Sequence, residues 1–424
     1  MPRLPRSLIP LCVAGLSVLT LAKAAETVPP PRPWEPDAFL PVSEARIAAL
    51  PASEQPAWRA YWQASSAQAR PSIMPTDPVE NTGTLLLQST PIPAVHSTRL
   101  NLNAAPAWYA TAEARALADQ IAAWQRPAGG WTKGGVYTRA PQAADDHHDD
   151  WSAGTFDNDS TISELRFLAQ VIHVADTDPR AAAWHQSFAR GLAYIFTAQY
   201  PHGGFPQIYP LAGSYHDAVT FNDDAMINLL ELLRDIAGRD GAYAFVPAAE
   251  AAEAGDRLAR GLRCVLASQL RDAAGRPTIW GQQHDALTLR PCAARNFEPA
   301  AACSSESANL ALFLMSVPSP TPEIVAAVDG AMAWFQAHAL PGVAWDRDAT
   351  TGSGLTPKAG ASGLWARFYE TGSGRPIFGE RDRSVHYTVT ELTLERRKGY
   401  AWYNSRAAAL PAAHAKWRAK LAAN

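Results

Sequence analysis

The chain has 424 residues, 47% of them hydrophobic and 18% charged, which is ample material for a large buried core. A formal net charge of −3 excludes the basic surface expected of a nucleic-acid binder. Beyond the N-terminus no apolar run is long enough to span a bilayer.

In chain order, residues 1–24 come first. Arg3 and Arg6 precede an apolar stretch from Leu8 to Ala22, and Ala22-Lys23-Ala24 has the small-x-small form of a cleavage site. This reads as a secretory signal peptide, with an uncleaved anchor as the alternative. Cleavage after Ala24 removes three cations and no acid, taking the charge from −3 to −6. The residue directly after the cleavage site is Ala25, not cysteine, so no lipoprotein-type membrane anchor is expected. The expected location is secreted or periplasmic.

Residues 25–57 are proline-rich ("VPPPRPWEPDAFLP") and read as a loosely attached arm. Residues 58–424 read as one domain with a helical period. In "ATAEARALADQIAAWQ", Leu117, Ile121 and Trp124 fall at i, i+4 and i+7. Further helical runs are predicted near 160–175, 184–199, 224–237, 255–270, 306–316, 323–338 and 405–421. Strand signals are few; "TLLLQS" at 84–89 is the best of them. The aromatic residues are read as core packing before sugar contacts.

An internal repeat points to an architecture. "QRPAGGWTK" (125–133) and "QYPHGGFPQ" (199–207) each follow a helix with Gln, Pro, a Gly-Gly pair and an aromatic residue, and "SQLRDAAGRPTIWGQ" (268–282) is a degraded third copy. Helix hairpins recurring at this period predict a mainly all-α fold, an α/α toroid with few short strands. The glycines supply a helix stop with positive φ.

Two acidic segments recur in the same frame, "TFDNDSTISELRFLA" (155–169) and "TFNDDAMINLLELL" (220–233). Ordinary helix capping is one reading of their Asp and Asn residues. The other places Asp157 and Asp223 on one rim, converging from adjacent inner helices as hard oxygen donors suited to Ca²⁺. "DDHHDD" (145–150) reads as a charged loop tip rather than a metal site. Arg295, in "RPCAARNFEP" (290–299), lies one further repeat along and is predicted to face the same cleft; a surface arginine or a partner for Glu298 is the alternative. Of the cysteines, Cys12 leaves with the signal, Cys264 reads as a core thiol, and Cys292 and Cys303 are expected to pair if their Cα separation permits.

The segments "GGWTK", "TFDNDST", "QYPHGGFPQIYP", "TFNDDAM", "WGQQHDALTLRP", "WARFYE", "RPIFGERD" and "ERRKGYAWY" together resemble, in order, the pectate lyases of polysaccharide lyase family ten, over about residues 105–405. The resemblance implies a toroid-like helical fold and Ca²⁺-assisted β-elimination on polygalacturonate, the demethylated backbone of pectin. It implies Asp223 as the principal calcium aspartate and Asp157 as a second one. It implies Arg295 as the catalytic base and Arg381 as a substrate-binding residue, with Arg367 and Lys133 as further cleft residues. The chain departs from the family pattern at Thr132 (usually Pro), Ser160 (usually Ala) and Cys303 (usually Leu). A monomer is expected, acting on a pectin oligosaccharide. The rival readings are an α/α-toroid glycoside hydrolase using Asp157 and Asp223, and a non-catalytic polyuronate-binding protein.

Overall fold

A computed structural model of the chain describes residues 29–33, 39–68, 100–142, 153–346 and 352–423. The signal peptide, the strand expected at 84–89 and the "DDHHDD" run lie outside the described residues.

Helices dominate the described chain. After α1 (Glu44–Ala48) and α2 (Gln55–Ser66) come α3 (Ala112–Ala123), α4 (Ile162–Ala175), α5 (Ala181–Ala198), α6 (Ala225–Gly238), α7 (Ala248–Ser268), α8 (Ser304–Ser316) and α9 (Pro322–Ala337), with α10 (Leu394–Gly399) and α11 (Leu410–Ala423) closing the chain. Hairpins α4–α5, α6–α7 and α8–α9 each pack internally. Their sequences sort them into two layers. Helix α6 buries Leu229, Leu230, Leu232 and Leu233, apolar on most of its circumference. Helix α7 is amphipathic, burying only the stripe Ala251, Ala254, Gly261, Cys264, Val265 and Ser268. Helices α4, α6 and α8 therefore form an inner layer, α3, α5, α7 and α9 an outer one, as the repeat predicts.

Each outer helix is tied to the next by one glutamine. Gln125 Nε2 donates to Gly129 O at 2.6 Å and to Ser187 O on α5 at 2.9 Å. Gln199 Nε2 donates to Gly203 O and to Arg257 O on α7, both at 2.9 Å. Gln269 Nε2 donates to Thr278 O and to Ala327 O on α9, both at 2.8 Å. The degraded third copy keeps this clamp although its Gly-Gly pair is gone. It also keeps the tryptophan: Trp131 Nε1 donates to Ile121 O and Trp280 Nε1 to Val265 O, each at 2.7 Å.

Thirteen short strands complete the described fold, and most have two residues. Five form one antiparallel sheet in the order β1 (Arg32–Pro33), β12 (Ser384–His386), β11 (Pro376–Gly379), β10 (Phe368–Tyr369), β6 (Ala302–Cys303). The stretch read as an arm supplies β1 and also α1. Ile47 of α1 is fully buried, and Arg46 makes a two-pronged ion pair with Asp285 at 2.8 and 2.7 Å.

The expected disulfide is not formed: Cys264, Cys292 and Cys303 are all buried free thiols. The local pairing explains it. Cys303 lies in β6, opposite Phe368, and its Sγ–H donates to Glu306 Oε2 at 2.7 Å. Cys292 belongs to a separate loop, its amide donating to Gln283 O at 3.0 Å.

The clamped loops need glycine for a steric reason. Gly203 has φ +102°, and a Cβ there would sit 2.2 Å from Arg260 O on α7. Gly129 repeats the arrangement against Arg190 O of α5. Gly275, in the third copy, has φ +77° with open space around it. Gly203→Ala is expected to destabilise by about 2–4 kcal/mol, strain and overpacking together. Gly275→Ala is expected to cost only the strain of about 1–2 kcal/mol. Thermal melts of the two variants check this, and equal losses would refute the close-approach argument.

Candidate active site

The two acidic segments do not cap their helices. Each forms a single 3₁₀ turn, Asp157–Asp159 before α4 and Asn222–Asp224 before α6. Neither helix donates an amide to a capping side chain at its first turn. The backbone is left-handed at Asn158 (φ 48°), Asp159 (φ 63°), Thr161 (φ 68°), Asp223 (φ 52°) and Asp224 (φ 60°). Such conformations are rare away from glycine and cost energy at each residue, and for β-branched Thr161 the outlier is pronounced. The surroundings hold them. Thr161 Oγ1 accepts from Trp131 N at 3.0 Å, and Asn309 Nδ2 of α8 donates to Asp224 Oδ2 at 2.7 Å. Asn228 of α6 makes the corresponding bond to Asp159.

The matching dihedrals put the turns in register with Phe156 over Phe221. Asn158 then corresponds to Asp223, and Asp157 to Asn222. Asp157 and Asp223 are thus not the same position of two repeats. They meet because adjacent positions in neighbouring turns lean together, close enough to hydrogen-bond. The Asp223 carboxyl is pushed up to about 6 by partial burial first, then by the Asp157 charge and Glu306, with Arg367 opposing. Its side chain also opens to the cleft, so solvent tempers the burial part.

Asp157 is almost fully buried and saturated. Gln207 Nε2 donates to its Oδ1 at 2.8 Å, Asn158 Nδ2 to its Oδ2 at 2.9 Å, and Lys133 forms an ion pair with Oδ2. Arg367 stands on the other side of Asp223. Its guanidinium bonds Glu306 Oε1 at 2.6 Å and Gln282 Oε1 at 3.1 and 3.2 Å.

The Tyr400 ring carries the cleft wall onward. Arg367 Cζ lies 5.0 Å and Arg295 Cζ 5.8 Å from its centroid. Arg295 pairs with Glu298, Nε to Oε2 at 2.9 Å and Nη2 to Oε1 at 2.5 Å, and Tyr400 Oη donates to the same Oε1 at 2.6 Å. Burial pulls the Arg295 guanidinium down, but its bonds to Glu298 outweigh burial and hold it above its ordinary value. Burial likewise works against ionised Glu298, yet Arg295 and Tyr400 bring it down to about 2. The first neighbour of Arg295 is thus an acid, which opposes loss of its proton. Arg381 lies beyond, paired with Glu395 at 3.1 Å, its Cζ 5.6 Å from the Phe297 ring. Arg295 and Arg396 face the same ring at 5.0 and 4.2 Å.

Lys133, Asp157, Asp223, Arg367, Arg295 and Arg381 thus follow one another along a continuous wall, acidic at one end and basic at the other. Sequence reasoning missed the groups that set their charges: Gln207, Gln282, Glu306 and Tyr400. Gln207, Gln282 and Tyr400 lie inside recognised motifs, so their position was visible but not their role. Glu306 had no repeat partner to flag it. A cavity of about 770 Å³ lined in part by Trp334 and His338 contains none of these residues.

Residues 125–410 match the family model for pectic acid lyase. Among solved structures, the family 10 polysaccharide lyase from Cellvibrio cellulosa is similar, with 30% identity and a TM-score of 0.63 over 76% of this chain and 98% of that one. An aspartate-to-alanine mutant of that lyase in complex with trigalacturonic acid matches at 30% identity and a TM-score of 0.64, over 75% of this chain and 99% of the other. No curated protein matches the chain. With the family model spanning most of the helical domain and a solved lyase covered almost end to end, the chain belongs to the pectic acid lyases of polysaccharide lyase family 10.

Proposed function

We propose that this pectate lyase is exported and cleaves polygalacturonate by Ca²⁺-assisted β-elimination, with Arg295 as the base. The observation that carries the reading is the contact between the Asp157 and Asp223 carboxyls, a like-charge pair that a divalent cation would relieve. The donor chemistry fits: both are hard oxygen ligands. Among the described residues no group of three or more His, Cys, Asp or Glu is arranged as a protein cage. Ca²⁺, which takes 6–8 oxygens and tolerates irregular geometry, would draw the rest from substrate and water. The trigalacturonic acid bound by the Cellvibrio relative supports the substrate class. The hydrolase alternative fits less well, because it leaves Arg295 and Arg381 without a role.

Bound Ca²⁺ would neutralise the uronate carboxylate and raise the acidity of the adjacent C5 proton. The residues divide the remaining work. Lys133, Arg367 and Arg381 offer cations to the carboxylates of successive sugars. Neutral Arg295 accepts the C5 proton; the C5–H electron pair becomes the C4–C5 double bond, and the C4–O bond breaks with its electrons on the leaving oxygen. Glu298 opposes this by favouring the charged guanidinium, so only a small neutral fraction exists near neutrality. In the competing role, Arg295 stays charged and stabilises the developing anion.

On polygalacturonate, ultraviolet absorbance from the unsaturated product is expected to rise with Ca²⁺ and stop with a chelator. Arg295→Ala is expected to lower kcat by at least about a hundredfold, the scale of a lost general base. New reducing ends without absorbance would indicate a hydrolase, and no reaction at all a binding protein. The pH profile separates the two roles of Arg295. A base with a pKa above the working range gains neutral fraction about tenfold per pH unit, so the rate is expected to climb above neutrality. A flat alkaline profile would favour the charged role. Export predicts a mature protein beginning at Ala25; N-terminal sequencing of the exported form checks it, and a start at Met1 or Pro2 would contradict the leader reading.

A further inference from the structure

The three copies of the repeat bring one equivalent position to the rim. Two residues beyond the aromatic rings of Trp131, Phe205 and Trp280 stand Lys133, Gln207 and Gln282. The backbone confirms the match for the last two. Gln207 O accepts the Phe156 amide at 2.9 Å, and Gln282 O accepts the Phe221 amide at 3.0 Å. Each glutamine therefore sits beside the turn that follows that phenylalanine, Asp157–Asp159 or Asn222–Asp224.

At the first turn this position serves a carboxylate. Lys133 pairs with Asp157 Oδ2, and Gln207 Nε2 donates to Asp157 Oδ1 at 2.8 Å. At the second turn the residue matching Asp157 is the neutral Asn222. Gln282 is turned the other way: its Oε1 accepts from Nε and Nη2 of Arg367, at 3.2 and 3.1 Å. A guanidinium has only donors, so the atom facing it is the oxygen and the amide orientation is fixed. That leaves Nε2 on the side away from Arg367, and no described residue accepts from it. Gln282 is only 6% exposed, yet this nitrogen is not sealed from solvent. Arg367 Nη1, on a side chain 13% exposed, likewise has no acceptor among the described residues.

Two nearly buried side chains thus offer donors and no acceptor, an arrangement that is costly unless a ligand completes it. The neighbouring guanidinium favours an anion. A carboxylate is also what this position of the repeat holds at the first turn. Asn222 in place of a second Asp157 removes one charge that would repel it.

We propose that Gln282 contacts the substrate, its Nε2 donating to a galacturonate carboxylate beside Arg367, as Gln207 Nε2 donates to Asp157. This rests on the lyase reading above and extends it: carboxylate recognition next to Asp223 uses a fixed amide donor as well as a guanidinium.

The test compares KM and kcat on polygalacturonate, read by ultraviolet absorbance at saturating Ca²⁺. Gln282→Glu keeps an oxygen for Arg367 but turns the donor into an acceptor, and Gln282→Met removes both. In each variant KM is expected to rise about tenfold, the scale of a hydrogen bond to a charged group, with kcat changed less than about threefold. A residue that only braces Arg367 would tolerate Gln282→Glu, because that variant retains the brace. A wild-type KM in Gln282→Glu would therefore overturn the proposal and leave the lyase reading intact. Should Gln282→Glu fail to fold, as seen by circular dichroism, Gln282→Met decides, and an unchanged KM there would overturn the proposal equally. Absence of unsaturated product from the wild type would overturn the lyase reading and this inference with it.

Discussion

The site depends on one constraint, two carboxylates pressed together by a backbone that is not free to relax. Asp157 and Asp223 touch because five residues around them sit in left-handed conformations that side-chain-bearing residues seldom adopt. Three of them are held from outside the turns. Thr161 is pinned through its hydroxyl to the Trp131 amide, and Asp159 and Asp224 are held by asparagines from the next inner helix. The cost of the turns is met by packing of the inner layer, where α4 and α6 are buried nearly all round. That layer in turn relies on the glutamine clamps and close-packed glycines that fix the outer helices at a set distance. Strain at the cleft and symmetry in the scaffold are two ends of one arrangement.

Charge along the cleft follows from how each ionised group is matched. Asp157 is matched by two amides and one ammonium. Asp223 has fewer donors and a like charge beside it, so it is the member of the pair that resists ionisation. Glu306 and Glu298 each take an arginine, which keeps Arg367 and Arg295 from collapsing onto the aspartates. The aromatic rings of Tyr400 and Phe297 provide faces for the guanidinium groups, and Glu395 matches Arg381 and Arg396. The wall can therefore hold four arginines near one another, at separations set by two rings.

Much of the scaffold was legible because it repeats. Gln125, Gln199 and Gln269 stand at the same point of each copy, and the helices fall where the apolar period puts them. The degraded third copy was recognisable through Gln269 and Trp280, whose bonds match those of Gln125 and Trp131. The convergence of Asp157 and Asp223 was also legible, although the offset that suggested it was one residue out: Asp157 matches Asn222, and the contact comes from neighbouring positions. What the sequence hid was of another kind. Cys292 and Cys303 stand eleven apart in an irregular stretch, a spacing that invites a disulfide, but the strand pairing of Cys303 is long-range and directs its thiol to Glu306. Arg295 and Glu298 lie three apart and their pairing was one of two readings; only the fold reveals that Tyr400, a hundred positions away in the chain, completes the group.

The third copy explains why a symmetric scaffold carries an asymmetric site. In α8, Ser307 bonds the Trp280 amide as Thr161 does Trp131, and Asn309 faces Asp224 as Asn228 faces Asp159. That register places Ser304 and Ser305 where the first two copies have Asn158–Asp159 and Asp223–Asp224. The third inner helix begins without an acidic turn, directly after β6. Its first turn offers instead Ser304, bonded to Ala366 O at 2.6 Å, and Glu306, bonded to Arg367. Loss of the acids at this one position lets the sheet bring an arginine to the rim. A strictly repeated sequence would put carboxylates all round the cleft and repel a polyanion. Exchange of one Asp-Asp turn for Ser-Ser-Glu, with Arg367 supplied from the neighbouring strands, turns the same geometry into a cleft with a carboxylate-lined end and a guanidinium-lined end.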